Sequence, residues 1–228
     1  MSGGRPVAPW APVSVGQVTT TRHVRPRIRR GVLVALLAAT SLAGCGGDDS
    51  AGGSSGAPMG WIDREDEPTG VVFSLPPPIS GPEDARRPGR TTAVATRSYG
   101  SRSGDLAISV QLLSTPEDPD ALRRELPPRT VPRQVLDRIR TDGDYEGEVL
   151  RNEPVEGQAE PAYDARLRVT SGDEEAVWWM RTRALGEVVV VTQVVAFLDD
   201  AGTESERADL EKQGETAFDR LNRTVEVP

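Results

Sequence analysis

Alternation of apolar and polar side chains predicts most of the strands in this chain. Residues 106–112 and 162–170 alternate strictly, which is typical of strands with one buried face. A Ser-Gly-Asp turn at 171–173 joins the second of these to a return strand at 176–185. Residues 188–198 are almost continuously apolar, which predicts a central strand covered on both faces. Shorter strands are predicted over 71–75, 92–99 and 148–155.

Start and stop signals predict three helices. Residues 118–126 open with an Asp-Pro pair, and residues 130–143 end at a glycine, so each range predicts a short helix. Residues 203–206 fit a capping box that begins the last helix. The apolar face of this last helix carries Leu210, Gly214, Ala217, Phe218 and Leu221.

The order of these elements predicts the fold class. Residues 61–67 are interpreted as an acidic lead and residues 79–90 as a loop rich in proline, glycine and arginine. The remaining order is three strands, two helices, four strands and a helix. Because hairpin connections dominate, we expect an α+β fold in which helices pack on an antiparallel sheet, as a single domain over residues 61–228.

A different pattern fills residues 1–44, which are predicted to be a lipoprotein signal peptide. Four arginines between positions 25 and 30 precede an apolar run at 31–42, which is shorter than the roughly 20 residues that span a bilayer. The sequence Leu42-Ala43-Gly44-Cys45 resembles a lipobox. This resemblance implies cleavage between Gly44 and Cys45 and attachment of a diacylglycerol to the Cys45 thiol. An ordinary secretory signal is the alternative.

The segments on either side of this signal are unpatterned. The lead over residues 1–23 is longer than a signal peptide needs, which suggests a translation start at a valine codon near Val18 or Val24. Residues 45–60 carry the lipidated cysteine and a linker rich in glycine, serine and aspartate, whose flexible part has a reach of roughly 20 Å. We therefore expect a domain tethered to the outer face of the cytoplasmic membrane.

Charge narrows the class of partner. Six of the 27 basic residues and none of the 35 acidic residues precede Cys45, so the part from Cys45 onward carries 21 basic and 35 acidic residues, a net charge of −14. Such a domain is repelled by nucleic acid and by anionic lipid heads, which excludes nucleic-acid binding as a function. The expected partners are the membrane, through the anchor, and an envelope protein or a lipid.

The available side chains argue against an enzyme. His23 is the only histidine and lies in the signal segment, and Cys45 is the only cysteine. The mature chain is therefore not expected to use serine–histidine or cysteine–histidine catalysis, a zinc site with nitrogen or sulfur ligands, or any cofactor. A hydrolase that uses carboxylates is the last-ranked alternative. Two acidic clusters, at 63–67 and 199–204, are interpreted as solvated charge runs rather than calcium sites.

Three segments resemble a known family. Val71–Leu75 followed by proline resembles the opening strand of the Mog1/PsbP-like fold, seen in actinobacterial lipoproteins of the LpqN type. Residues 156–163, Glu-Gly-Gln-Ala-Glu-Pro-Ala-Tyr, resemble its Gly-x-Pro-Ala-x-x-Tyr segment, and the closing strand and helix resemble its C-terminal half. Pro78-Ile79-Ser80 stands where the family has Gly-Trp. The resemblance covers roughly residues 61–228 and implies protein-binding or accessory roles with no catalytic residue.

One group of basic residues is a candidate binding face. If the hairpin pairs residue 166 with residue 179, then Arg166, Arg168, Trp179, Arg181 and Arg183 share one surface of the sheet. Four arginines around a tryptophan are suited to a carboxylate, a phosphate or an anionic glycolipid head. The alternative is a solvated face that nearby acidic residues balance.

The sequence fits two functions. The first is a non-catalytic binding or accessory lipoprotein that acts on an envelope partner. The second is a carrier of a lipid or other small amphiphile, which requires an apolar cavity of several hundred cubic ångströms.

Overall fold

The computed structural model describes residues 60–88, 93–115, 119–125, 127–142, 145–199 and 201–226. The predicted signal peptide, the lipobox with Gly44 and Cys45, and most of the predicted linker lie outside these ranges. The predicted N-cap at residue 118 and the predicted helix end at residue 143 also lie outside them.

The described residues form a large antiparallel sheet, a separate hairpin and three α-helices. The strands are β1 Ile62–Asp66, β2 Val71–Leu75, β3 Ile79–Pro88, β4 Ala93–Ser103, β5 Leu106–Ser114, β6 Glu146–Pro154, β7 Ala162–Ser171, β8 Glu174–Leu185 and β9 Val188–Phe197. The helices are α1 Pro119–Glu125, α2 Val131–Asp142 and α3 Glu204–Thr224, with a 3-10 turn at Pro128–Thr130. The predicted α+β class is confirmed.

Strand β9 lies at the centre of the main sheet. The order is β3-β4-β5-β9-β8-β7-β6, with every neighbouring pair antiparallel, while β1 and β2 form a separate two-stranded sheet. All ten residues of β9 are buried. This burial explains the continuous apolar run, because a strand covered on both faces has no solvent-facing side on which polar residues would lie.

Two buried clusters fill the two faces of the sheet. On one face, residues of α1 and α2 such as Leu122 and Ile139 pack against Leu167 and Trp178. On the other face, α3 and the β1–β2 hairpin pack against the sheet, with Phe73, Leu221 and Trp179 in one cluster. The alternation predicted for β5 and β7 places their apolar sides in these clusters, β5 toward α3 and β7 toward α2.

Two segments that were interpreted as irregular are strands. Residues 61–67, predicted as an acidic lead, contain β1, whose first four side chains are exposed, so its composition is polar although its backbone pairs fully with β2. Residues 79–90, predicted as a loop, contain β3. Proline is tolerated there because β3 is an edge strand, and its register shifts between Ser80 and Glu83.

The predicted capping box of α3 is present, and its contribution to stability can be measured. The Thr203 Oγ1 accepts the Glu206 amide at 3.2 Å, and the Thr203 amide donates to the Glu206 carboxylate at 2.8 Å. We expect Thr203→Ala to lower the free energy of unfolding by about 1 kcal/mol in urea denaturation. Thr216→Ala, an exposed threonine inside the same helix, is the control and should change it by less than about 0.5 kcal/mol. Equal losses in the two variants would contradict the capping role.

Candidate functional site

The β7–β8 hairpin has the register on which the arginine surface depends. Arg166 pairs with Trp179, and Arg168 with Val177. The alternating positions Arg166, Arg168, Trp179, Arg181 and Arg183 therefore occupy one surface of the sheet, as the sequence predicts. Trp179 belongs to the cluster beneath α3, so this surface is the one that α3 covers.

The first two arginines of this surface bind acidic residues of the chain. Arg166 forms an ion pair with Glu211 of α3, and its guanidinium carbon lies 5.4 Å from the Trp179 ring centroid. The Arg168 Nε lies 3.0 Å from the Glu175 carboxylate. The Arg166 contact connects β7 to α3, and the Arg168 contact connects β7 to β8.

The other two arginines lie deeper. Arg181 donates two hydrogen bonds to Asp164, at 2.6 and 2.7 Å, and its guanidinium lies over the Phe218 ring. Arg183 is only 8% exposed and donates to the Val225 carbonyl. Burial, together with the charge of Arg181, lowers the pKa of Arg183. The structure brings all five residues together, and their binding of an external anion stays a prediction.

A cleft with a volume of about 570 Å³ lies where the ends of several strands meet. Its walls come from four segments, which are the β1–β2 turn, the facing parts of β3 and β4, the end of β5, and the β8–β9 turn. The polar lining includes Thr69, Asp84, Thr96, Arg97, Ser114 and Glu187, and the apolar lining includes Ala95, Leu185 and Val188. The cleft therefore combines charged, hydroxyl and apolar side chains.

A buried carboxylate organises one wall of this cleft. The Asp66 side chain is completely buried at the end of β1. It accepts hydrogen bonds from the Tyr99 hydroxyl at 2.5 Å, from the Arg97 Nε at 2.6 Å and from the Thr69 hydroxyl at 2.7 Å. The Thr69 amide is a further donor, at 3.2 Å. Four donors on one buried carboxylate hold β1, its turn and β4 in a fixed arrangement.

This environment keeps Asp66 ionised. Burial alone raises the pKa of a carboxyl group, but hydrogen bonds from Tyr99, Thr69 and Arg97 outweigh it, so the pKa of Asp66 lies below its usual value. Burial and the hydrogen bond to Asp66 raise the pKa of the Tyr99 hydroxyl. The result is a buried anion that accepts hydrogen bonds from one cation, Arg97, and from the neutral hydroxyls of Tyr99 and Thr69.

Arg97 connects the buried network to the open cleft. Its side chain is 26% exposed, and its Nη1 lies 3.1 Å from a carboxylate oxygen of Asp84 on β3, a side chain that is 65% exposed. Arg97 therefore has one buried acidic partner through Nε and one solvated acidic partner through Nη1.

Sequence reasoning missed this network. It placed Asp66 in a solvated charge run, whereas the structure buries this side chain and leaves its neighbours Asp63, Glu65 and Glu67 exposed. The local sequence Asp-Glu-Pro-Thr-Gly at 66–70 is typical of a turn, but this pattern does not reveal that the aspartate is buried. Among the described residues, no three acidic side chains converge in a way that would hold a metal ion.

The chain is similar in architecture to three solved structures. Cyanobacterial PsbP (CyanoP) from Synechocystis sp. PCC 6803 has a TM-score of 0.49 at 15% identity, covering 78% of this chain and 98% of that one. A variant of Mog1 has a TM-score of 0.42 at 17% identity, covering 74% and 96%. A protein of unknown function from Pseudomonas aeruginosa has a TM-score of 0.35 at 10% identity, covering 72% and 96%.

No protein-family model and no curated protein matches the chain. These similarities concern the fold alone. In the part of the chain that the structure describes, no helix is both long and apolar enough to cross a membrane.

Proposed function

We propose that this chain is a non-catalytic binding domain that recognises an envelope protein through the cleft beside Arg97. The observation that carries this proposal is the buried Asp66 network. It fixes Arg97 before any partner arrives, so binding does not have to order that side chain. The wall is formed by paired strands, which hold a binding geometry more accurately than loops do.

The chemistry of the cleft supports binding rather than catalysis. The four donors on Asp66 leave its carboxylate unsuited to act as a general base or as a nucleophile. Asp84 is exposed and forms an ion pair with Arg97. The pair of carboxylates that a glycosidase uses requires one acid with a raised pKa, and the pKa of Asp66 is lowered instead.

The same cleft favours a protein partner over a carried lipid. A carrier needs an enclosed apolar cavity, whereas this cleft is open and has Asp84, Arg97 and Glu187 in its lining. The apolar side chains on both faces of the sheet pack against α1, α2, α3 and the β1–β2 hairpin. The carrier function remains the alternative, and lipid that co-purifies with the chain would favour it.

The sequence supports a location for this binding. A basic run, a short apolar run and a lipobox precede Cys45, so we propose that a diacylglycerol on this residue anchors the chain at the outer face of the cytoplasmic membrane. The linker then allows the domain to search within roughly 20 Å of the anchor. A net charge of −14 from Cys45 onward keeps the domain away from anionic lipid heads and leaves the cleft accessible to a neighbouring protein.

Proximity labelling from the full chain in its own host tests both parts of the proposal. We expect Cys45→Ser to release the chain from the membrane fraction. We expect Ala95→Phe to reduce labelling of the main partner by about tenfold, because the added ring fills the cleft and removes the contact surface that the partner uses. Ala201→Phe, which adds the same ring outside the cleft lining, is the matched control. An unchanged pattern with Ala95→Phe would overturn the cleft as the binding site.

A further inference from the structure

The cleft has one cationic group among its described lining residues, the guanidinium of Arg97. Its Nε is bound to Asp66, a carboxylate with no exposed surface. A guanidinium is planar, so a fixed Nε leaves the two Nη atoms as the edge that a ligand can approach. This edge is the part of Arg97 that already contacts an oxygen anion, because Nη1 lies 3.1 Å from Asp84.

The two acidic partners of Arg97 differ in how firmly they hold it. Asp66 is buried and receives three further hydrogen bonds, so a ligand does not displace it. Asp84 is 65% exposed, and ion pairs between exposed groups are weak because water and salt screen them. Asp84 therefore occupies the Nη edge as a carboxylate that an incoming anion can replace.

The remaining polar lining fits the same class of ligand. Ser114 carries a hydroxyl group in the cleft wall on the Arg97 side of the sheet, since it pairs with Ala95, and hydroxyls donate hydrogen bonds to anionic oxygens. Glu187 is also in the lining, and its negative charge repels an anionic ligand. It disfavours an extended polyanion and favours a ligand with one oxyanion group near Arg97.

We propose that the cleft binds an oxyanion group, a carboxylate or a phosphate, on the Nη edge of Arg97, and that Asp84 is the competing internal ligand. The inference rests on the cleft being the binding site of the proposed function and names the chemistry that it recognises. Carboxylates and phosphates share this mode of binding because both present two oxygens to the arginine fork. The carboxylate would belong to an acidic side chain or the chain terminus of the protein partner, and the phosphate would be a phosphate group on that partner or free phosphate.

The test titrates the full chain with sodium acetate and, separately, with sodium phosphate, at constant ionic strength maintained with sodium chloride. The Arg97 Nε–Hε resonance, assigned by its loss in Arg97→Gln, reports occupancy. We expect saturable shifts with at least one of the two anions. We expect Asp84→Asn to tighten binding by about three- to fivefold, because it removes the competing carboxylate. Which anion binds more tightly distinguishes the two sources.

Asp164→Asn is the matched control, since it removes one negative charge and frees Arg181, an arginine outside the cleft lining. This variant should leave the Arg97 titration unchanged. Arg97→Lys keeps the charge but loses the fork, and should weaken binding. The inference is overturned if neither anion shifts the resonance, or if Asp84→Asn and Asp164→Asn change affinity equally. If neither anion binds but Ala95→Phe still reduces labelling of the partner, the proposed function stands and only the oxyanion inference is wrong.

Discussion

Replacing Asp66 with alanine should lower the free energy of unfolding by about 3 kcal/mol, because it leaves a partly buried cation and a buried hydroxyl without their acceptor. The acceptor now serves Tyr99, Arg97 and Thr69 together. Water can reach Arg97 in part, so the loss should fall at the lower end of the range for broken buried ion pairs. Urea denaturation of the full chain, with the slope compared between variants, measures this loss.

Asp84 provides the control on the same arginine. Asp84→Ala removes an exposed partner of Arg97 and should lower the free energy of unfolding by no more than about 1 kcal/mol. If both alanine variants lost the same free energy of unfolding, burial of Asp66 would not explain its contribution, and the network would be an ordinary surface cluster.

The contribution of Asp66 should also depend on pH. Its pKa in the folded chain is below the ordinary value, so its ionisation favours the folded state at neutral pH. This contribution is fully present above the unfolded-state pKa and is lost as the pH falls through the lower, folded-state pKa. The difference in free energy of unfolding between the wild-type chain and Asp66→Asn should therefore shrink below about pH 4. A difference that grew toward acid pH would contradict the direction of the pKa shift.

A methyl group at Gly214 should lower the free energy of unfolding by about 2 kcal/mol, even though alanine is the better helix former. A Cβ at this position would lie 2.5 and 2.8 Å from two carbons of the Trp179 indole. The indole cannot easily move away from this Cβ, because the ring is buried against the sheet and the Arg166 guanidinium lies over it. Gly214 therefore sets how closely α3 approaches the sheet.

A double-mutant cycle tests this contact directly. Gly214→Ala should cost less in a Trp179→Leu background, where the ring is absent, than in the wild-type chain. Gln213→Ala, at an exposed neighbouring position of α3, is the control and should change the free energy of unfolding by less than about 0.5 kcal/mol. Equal costs of Gly214→Ala in both backgrounds would rule out the indole as the obstacle.

Sequence patterns predicted those elements whose side chains divide clearly between core and solvent. Strands β5, β7 and β9 were predicted because alternation or continuous apolarity follows directly from one-sided or two-sided burial. Strands β1 and β3 were missed for the opposite reason. Four of the five side chains of β1 are exposed, and β3 is an edge strand that contains proline and glycine, so neither has a pattern that burial would impose.

The candidate site could be predicted only in part. The arginine surface could be proposed on the condition that residue 166 pairs with residue 179, and the hairpin has this register. The contact between Asp66 and Arg97 was not predictable in this way, because it spans 31 positions and depends on how a separate hairpin packs on the main sheet. Local patterns contain no information about such packing, so a buried aspartate looked like one more charge in an acidic run.

The place of β9 in the sheet has a consequence for the order of folding. Strands β3, β4 and β5 form one meander and β6, β7 and β8 form another, and among the described strands β9 alone pairs with both. It is also the last strand of the main sheet along the chain. When the chain is synthesised from its N-terminus, the two three-stranded halves of the sheet therefore stay unjoined until β9, which ends at residue 197, is available. Closure of the sheet is a late, long-range event, which places this fold among slowly folding topologies.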